Sequence, residues 1–248
     1  MKEKSSSTRK TGKPGAGMFW LVVLVAFLWG GLNSELQGGV SMIAEHDNPA
    51  GSEVELPEPV AEEGISLARA LSLRQSTRSY ADEPLTLEEV AQLLWAAQGI
   101  NRPKQKFRTA PSAGATFPLE VLLVAGEVAG LEPGVYRYRP MSHTLSPVRS
   151  GDQRDALYNQ ALRQNPVRQA PAVVVIAAVY ERTTRRYGDR GQRYVHMEVG
   201  HAGQNIHLQA ADLGLGTVVI GAFNDSGVQE TLGLREEENP LYIMPVGR

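Results

Sequence analysis

Residues 172–180 read AVVVIAAVY. The run is rich in β-branched residues and is apolar at odd and even positions alike. It therefore predicts a strand buried on both faces, inside a sheet covered on two sides. Toward the C-terminus, Arg193 to Leu213 fits a long helix, with Gly200, Ala202, Gly203, Ala210 and Ala211 permitting close packing. Thr217 to Ile220 reads as a short apolar strand, Ser226 to Leu232 as a short helix and Leu241 to Val246 as the last strand. Toward the N-terminus, Asp152 to Arg163 fits a helix, GVYRYR at 134–139 with 143–148 a hairpin, and Leu119 to Ala125 a strand. Thr86 and Glu89 form a capping-box pattern that opens a helix over Leu87 to Gln98. Ser66 to Gln75 has apolar residues at helical spacing. This order predicts an α+β fold, a mostly antiparallel central sheet flanked by helices.

The 248 residues are 42% hydrophobic and 21% charged, with a formal net charge of −2 and no cysteine. The charge balance excludes a generally basic nucleic-acid-coating protein. Without cysteine there are no disulfides, thiolate metal sites, iron–sulfur clusters or cysteine nucleophiles.

Three segments precede the body. Residues 1–17 are polar and basic, as a cytoplasmic tail would be. Residues 18–34 include the apolar run MFWLVVLVAFLWGGL, which reads as an export signal or membrane anchor with its basic flank in the cytoplasm. Without a good small-x-small cleavage site, the uncleaved anchor is favoured over the cleaved peptide. The expectation is a single pass through the inner membrane with the body outside the cytoplasm, or secretion if the segment is cleaved. Residues 35–65 carry eight acidic side chains and no Lys or Arg, with Pro49, Pro57 and Pro59 among them. That composition predicts an extended, poorly ordered linker. Residues 66–248 form the folded body.

Several chemistries can be set aside. Gly214-Leu215-Gly216 ends a helix and opens a strand, the reverse of a dinucleotide fingerprint, so it reads as a helix C-cap and turn. His196 and His201 stand about 140° apart on a helix and do not share a face as two metal ligands should. Glu198 and His201 can share one, as a partly buried pair. No G-x-S-x-G elbow is present. What remains is directed at anions and at flat polar rings. Arg74, Gln75, Ser76 and Arg78 cluster where a helix ends, and the two guanidinium groups can bracket a phosphate with the Ser76 hydroxyl as a third donor. Pro111-Ser112-Ala113-Gly114 is a small-residue loop whose amides can approach a ring closely. Ile220-Gly221-Ala222 ends a strand with another glycine, and Arg248 follows the last strand.

The strings RQSTRSY at 74–80, PSAGA at 111–115, and GHAGQN at 200–205 followed by LGLGT at 213–217 resemble the FMN-dependent nitroreductase superfamily. The runs RTAPSAGATFPLE, YGDRGQRYVHMEVGH and PLYIMPVGR are similar to its SagB-type dehydrogenase branch, whose enzymes oxidise azolines in thiazole and oxazole peptides. The resemblance covers residues 66–248. It implies an FMN-binding homodimer, or a pseudodimer, with the flavin at the interface and the helix around Gly200 and Asn205 in the dimer core. Arg74, Gln75, Ser76 and Arg78 would hold the phosphate end, Pro111, Ser112, Ala113 and Gly114 would line the ring, Ile220, Gly221 and Ala222 would cover its other side, and Arg248 would reach toward the phosphate.

The chemistry would then be two-electron hydride transfer through flavin N5, with no catalytic side chain strictly required. Glu198, Gln204 and Asn205 take structural roles in this reading. The azoline-oxidising relatives carry a Lys-Tyr pair just ahead of the G-x-R segment, where this chain has Arg186-Tyr187. Arginine is a poor proton-transfer group, so a generic reductase is favoured over an azoline dehydrogenase. A flavin-binding or scaffold protein without turnover is the alternative of another class. Residues 101–109 and 180–193 are the most irregular parts of the body. Their arginines, with Tyr187 and Tyr194, suit a planar or anionic small-molecule or peptide substrate, and NAD(P)H is a candidate electron donor.

Overall fold

The computed structural model describes residues 51–248. The elements follow in chain order: β1 Val54–Glu55, α1 Leu67–Leu73, α2 Leu87–Gln98, β2 Ile100–Arg102, β3 Phe107–Arg108 and, after a single 3-10 turn at Ala113–Ala115, β4 Leu119–Ala125. Then come β5 Gly134–Arg139, β6 Thr144–Ser150, α3 Arg154–Gln160, α4 Pro166–Gln169, β7 Ala172–Ala178, α5 Glu181–Tyr187, α6 Arg190–Asp212, β8 Gly216–Thr217, α7 Asp225–Leu232 and β9 Asn239–Gly247.

Seven strands form one sheet in the order β1-β6-β5-β4-β7-β9-β8, and each neighbouring pair is antiparallel. β7 lies inside the sheet and every residue of it is buried. Its Val174, Ile176 and Ala178 join the apolar core beneath α2 and α6, while Val173, Val175 and Ala177 join a second core beneath α3, α4 and α7. Continuous apolar character along one short strand is thus explained by two covered faces.

The capping box at α2 is present in full: the Glu89 amide donates to Thr86 Oγ1 and the Thr86 amide to the Glu89 carboxylate. The long helix α6 packs against α5 closely enough that a Cβ on Gly191 would lie 2.8 Å from the Thr184 Cα. Asn205 donates to the Ala96 carbonyl at 3.0 Å and ties α6 to α2, the structural role expected of it. Gly214 sits at φ +70 in the turn that ends α6.

Three expectations are corrected. The linker expected over 35–65 is joined to the body from residue 53 onward. Val54 and Glu55 pair with β6, Leu56 is buried, and the Glu53 carboxylate accepts from Thr144 and Ser146. His143 Nε2 meets the Pro57 carbonyl, and the Val60 amide donates to Gln92. Edge-strand pairing and hydroxyl donors offset the charge repulsion that argued for a free tether. Residues 180–193 are helical, as α5 and the start of α6, and β2 with β3 forms a small separate hairpin. The strand expected at Thr217 to Ile220 shortens to β8, with Ile220 making a single bridge to Ile243. The anchor expected at 18–34 and the basic tail lie outside the described residues. Among the described residues no helix is long and apolar enough to cross a membrane.

Candidate functional site

The expected site residues fall into two groups at opposite ends of the sheet. Leu119 pairs with Ala178 and Ala178 with Asn239 at one end. Ala125, Ala172, Val246 and Thr217 align at the other. Six residues of strand separate the ends by roughly 20 Å.

Residues 74–78 lie at the Thr217 end. Ser76 bridges Thr217, and the Thr77 amide donates to the Thr217 carbonyl at 2.9 Å. Gly216 is required there, because a Cβ would stand 2.6 Å from Thr77. Neither Arg74 nor Arg78 is in an ion pair among the described residues. The Thr217 hydroxyl is buried without a partner beside Ser76. Burial, and Arg74 nearby, hold His207 on α6 below the ordinary imidazole range, toward its neutral form. Two free guanidinium groups, an exposed Ser76 and an orphaned hydroxyl suit an anionic ligand. Gln75 is also exposed here.

Arg248 makes its contacts within the chain, at the start of α2. Its guanidinium donates to the Pro84 carbonyl and pairs with Glu89, with Glu83 at 3.7 Å. It thus braces the entrance to α2. Ile220 is buried opposite Ile243, Gly221 has open space on its Cβ side, and the Ala222 carbonyl accepts from Gln164. These three lie along the β8–β9 edge.

The loop from Pro111 to Phe117 lies at the other end, beside a cavity of about 680 Å³ that runs from Asn101 to Phe117. Its backbone is unusual. Gly114, Ala115 and Phe117 have φ of 61, 54 and 45, the left-handed region that favours glycine. Such a conformation persists only when its surroundings impose it. Here α5 does so: Arg186 donates to the Gly114 carbonyl at 3.2 Å, the Thr183 and Thr116 hydroxyls meet at 2.8 Å, and Arg182 donates to the Phe117 carbonyl at 3.1 Å. Within the loop, the Phe117 amide donates to Ser112 Oγ at 2.9 Å.

Arg108 stands behind the loop, where it lines both this cavity and a second one of about 220 Å³. Its guanidinium is 4.6 Å from the Phe117 ring centre and donates to Gln98 Oε1 at 2.7 Å. Glu198 of α6 is only 2% exposed, and burial pushes its carboxyl up to about 7 against the opposing pull of Ser112 and Arg108. One of its oxygens, Oε1, has no partner, nor has Gln98 Nε2. The expected pairing of Glu198 with His201 is absent: His201 is exposed, and Glu198 turns inward instead. His196 meets the Tyr180 hydroxyl at 2.6 Å.

Gln98 and Glu198 are the members of this site that the sequence reading did not assign to it, whereas Arg108 falls within 101–109, whose arginines it did direct at the substrate. Arg108 stands three residues before the Pro111 loop and is the signal that was available.

The model of the nitroreductase family matches residues 71–248. The chain belongs to the nitroreductase family. It is 48% identical over 198 residues to MJ1384 of Methanocaldococcus jannaschii, itself assigned to the nitroreductases, covering 80% of this chain and 98% of that one. It is 30% identical over 170 residues to the microcin B17-processing protein McbC of Escherichia coli, covering 66% of this chain and 62% of McbC. Among solved structures, a Ralstonia eutropha protein assigned to the nitroreductases superposes with a TM-score of 0.69 at 31% identity, covering 79% of this chain and 89% of that one. This nitroreductase-family chain is accordingly an oxidoreductase, of a family whose members are generally flavin-dependent. Its relatives in peptide processing agree with the SagB-type resemblance.

Proposed function

We propose that the protein is an FMN-dependent oxidoreductase that transfers a hydride to or from a planar or anionic substrate, with each flavin held between two copies of the chain. When bound, FMN supplies the hydride carrier. The chain's part is to bind and orient. Arg74, Ser76 and Arg78 would take the phosphate, and the Pro111 to Gly114 loop of the second copy would set its amides against the ring edge. Ile220, Gly221 and Ala222 would lie along the flavin on the first copy.

The observation that carries this reading is the separation of the two groups. The anion-directed cluster and the ring-directed loop stand at opposite ends of one sheet, so a single chain offers two half-sites. Two-fold pairing joins unlike halves twice. On α6, Met197 is 52% exposed, and one turn on nothing lies within 4 Å of where a Gly200 Cβ would be, which suits close packing of a second helix.

Purified full-length protein should carry a yellow flavin released on denaturation, and light scattering should give a dimer. Stopped-flow mixing with NADH and NADPH should identify the electron donor. A folded, colourless protein that FMN cannot reconstitute would leave the scaffold reading. A monomer that retains flavin would show that the pocket closes within one chain.

Azoline dehydrogenation in a peptide is a second reading, favoured by the likeness to McbC. Against it, Arg186 takes the lysine's place and spends its guanidinium on the Gly114 carbonyl. Flavin reduction by an azoline peptide but by neither nicotinamide would reverse the preference. The inner-membrane anchor rests on residues 18–34 alone. A reporter active only outside the cytoplasm, fused after residue 248 of the full chain, tests it.

A further inference from the structure

Gln98, at the end of α2, and Arg108 of β3 both line the smaller cavity, and together they offer more donors than the chain uses. A guanidinium has five N–H groups and a side-chain amide two. Among the described residues, the one hydrogen bond of this pair runs from Arg108 to Gln98 Oε1 at 2.7 Å. The Gln98 side chain is 0% exposed and its Nε2 has no partner, a costly state for a buried donor. Arg108 is half-buried and stands in no ion pair among the described residues. Burial pulls its guanidinium below the usual range in spite of Glu120 and Glu198 nearby. What the pair lacks is an acceptor, and preferably a negative one.

The rest of the wall narrows the choice. The cavity holds about 220 Å³, and part of its lining is apolar: Leu119, Val121 and Tyr138 are each at most 3% exposed. Arg139 adds a second cation that is in no ion pair among the described residues; its Nε donates to Ser146. Glu120 is the one carboxylate on the wall, and both of its oxygens are taken, one by Arg137 and the other by Arg182. Its charge is compensated, yet it still disfavours a second negative charge on any occupant. We propose that this cavity binds a small monocarboxylate with an apolar body, the carboxylate received by Arg108 and the Gln98 amide and the hydrocarbon laid against Leu119 and Val121.

The site does not depend on a flavin. Neither the Arg74 cluster nor the loop from Pro111 to Gly114 lines it. Arg108 lines the larger cavity as well, so an occupant of the smaller one also cancels a positive charge on the wall of the larger.

The probe is isovalerate, with isovaleramide as its neutral counterpart, titrated into the full chain by calorimetry and followed at carbon-13 methionine methyls. Met141 lines the cavity and is 61% exposed, so its methyl reports occupancy. The acid should shift the Met141 resonance and bind at least about tenfold tighter than the amide, because its hydrogen bonds to Arg108 are charge-assisted. Equal affinities, or an acid that binds with the Met141 resonance unmoved, overturn the proposal, as does an acid that does not bind. Gln98→Glu supplies Arg108 with a carboxylate of the same shape from within the chain, and should weaken the acid at least about tenfold. Unchanged affinity in that variant, once folded, overturns the proposal; the comparison of acid and amide on the wild type needs no substitution and decides the matter if the variant does not fold. Arg74→Ala with Arg78→Ala should leave the acid's affinity unchanged. Its loss there would put the ligand in the anion-directed cluster and overturn the site. Each arm is read whether or not FMN binds, so failure of the flavin reading leaves this result standing.

Discussion

Arg137 and Glu238 face one another through two parallel hydrogen bonds of 2.8 Å, across 101 residues of chain. The Glu238 carboxylate has no exposure, and it also accepts from the Arg235 amide at 3.0 Å and from its guanidinium. Burial alone would raise the carboxyl. The Arg137 and Arg235 donors outweigh it and hold Glu238 below the usual carboxylate range. The arrangement fastens the start of β9 to β5.

Glu238→Gln should therefore destabilise the fold by about 3–5 kcal/mol, because it leaves a buried guanidinium short of its partner. The pH dependence has a fixed sign. A depressed carboxyl adds stability above its unfolded value of about 4.3, and that stability is lost as pH falls through the lower folded value. Urea unfolding at pH 7 and at pH 3.5 should show the gap between wild type and variant narrowing in acid.

Glu198 has the opposite sign. With its folded value raised to about 7, it destabilises the native state progressively as pH rises from the unfolded value toward 7. Glu198→Gln should then be more stable than wild type at pH 8 by about 3 kcal/mol, two to three pH units at about 1.4 kcal/mol each. The gap should close near pH 4. Thermal melts of both proteins across that range check it.

The loop strain is testable at two adjacent residues. Ala115→Gly should stabilise by up to about 1 kcal/mol, because glycine adopts a positive φ freely. Gly114→Ala adds a Cβ that would sit 2.5 Å from the Tyr187 hydroxyl and 2.9 Å from Arg186 Nη1. It should cost about 1–2 kcal/mol and expose Tyr187, read by melting temperature and tyrosine fluorescence. Equal melting temperatures for both variants would mean that the loop is not held under strain.

The anion cluster separates from Arg248. Arg74→Ala with Arg78→Ala should weaken FMN binding by at least about 100-fold, since each charge-assisted hydrogen bond is worth about 1.5–3 kcal/mol, and should flatten its salt dependence. Arg248→Ala should leave FMN affinity nearly unchanged and lower the melting temperature, because it loses Glu89 and the Pro84 carbonyl. Fluorescence titration at two salt concentrations distinguishes them.

Much of this was legible in the amino-acid pattern. The capping box at Thr86 and Glu89 signals its helix locally, and β7 reads as buried because apolar character covers both parities. Helix α5 was not legible: Glu181 to Tyr187 has no apolar stripe, and buried Thr183 with close packing on Gly191 holds it. Nor was the attachment of residues 53–60, where Glu53 finds hydroxyl donors on a strand about ninety residues away. The two short motifs expected to bind a ligand were identifiable from composition. Their placement at opposite ends of the sheet depends on strand register, which no single motif carries. Glu198 was visible as a helical carboxylate, but its burial depends on tertiary packing that the helix alone does not carry.

Glu120 holds Arg137 with one oxygen and Arg182 with the other. Arg182 in turn grips the Phe117 carbonyl, and Arg137 grips Glu238. A single carboxylate thus links a flank of the cavity loop to the anchorage of the last strand. Alterations far from the cavity can be felt there as lost alignment. A search for variants with changed substrate preference should therefore sample Glu120, Arg137 and Arg235 as well as the residues that line the opening.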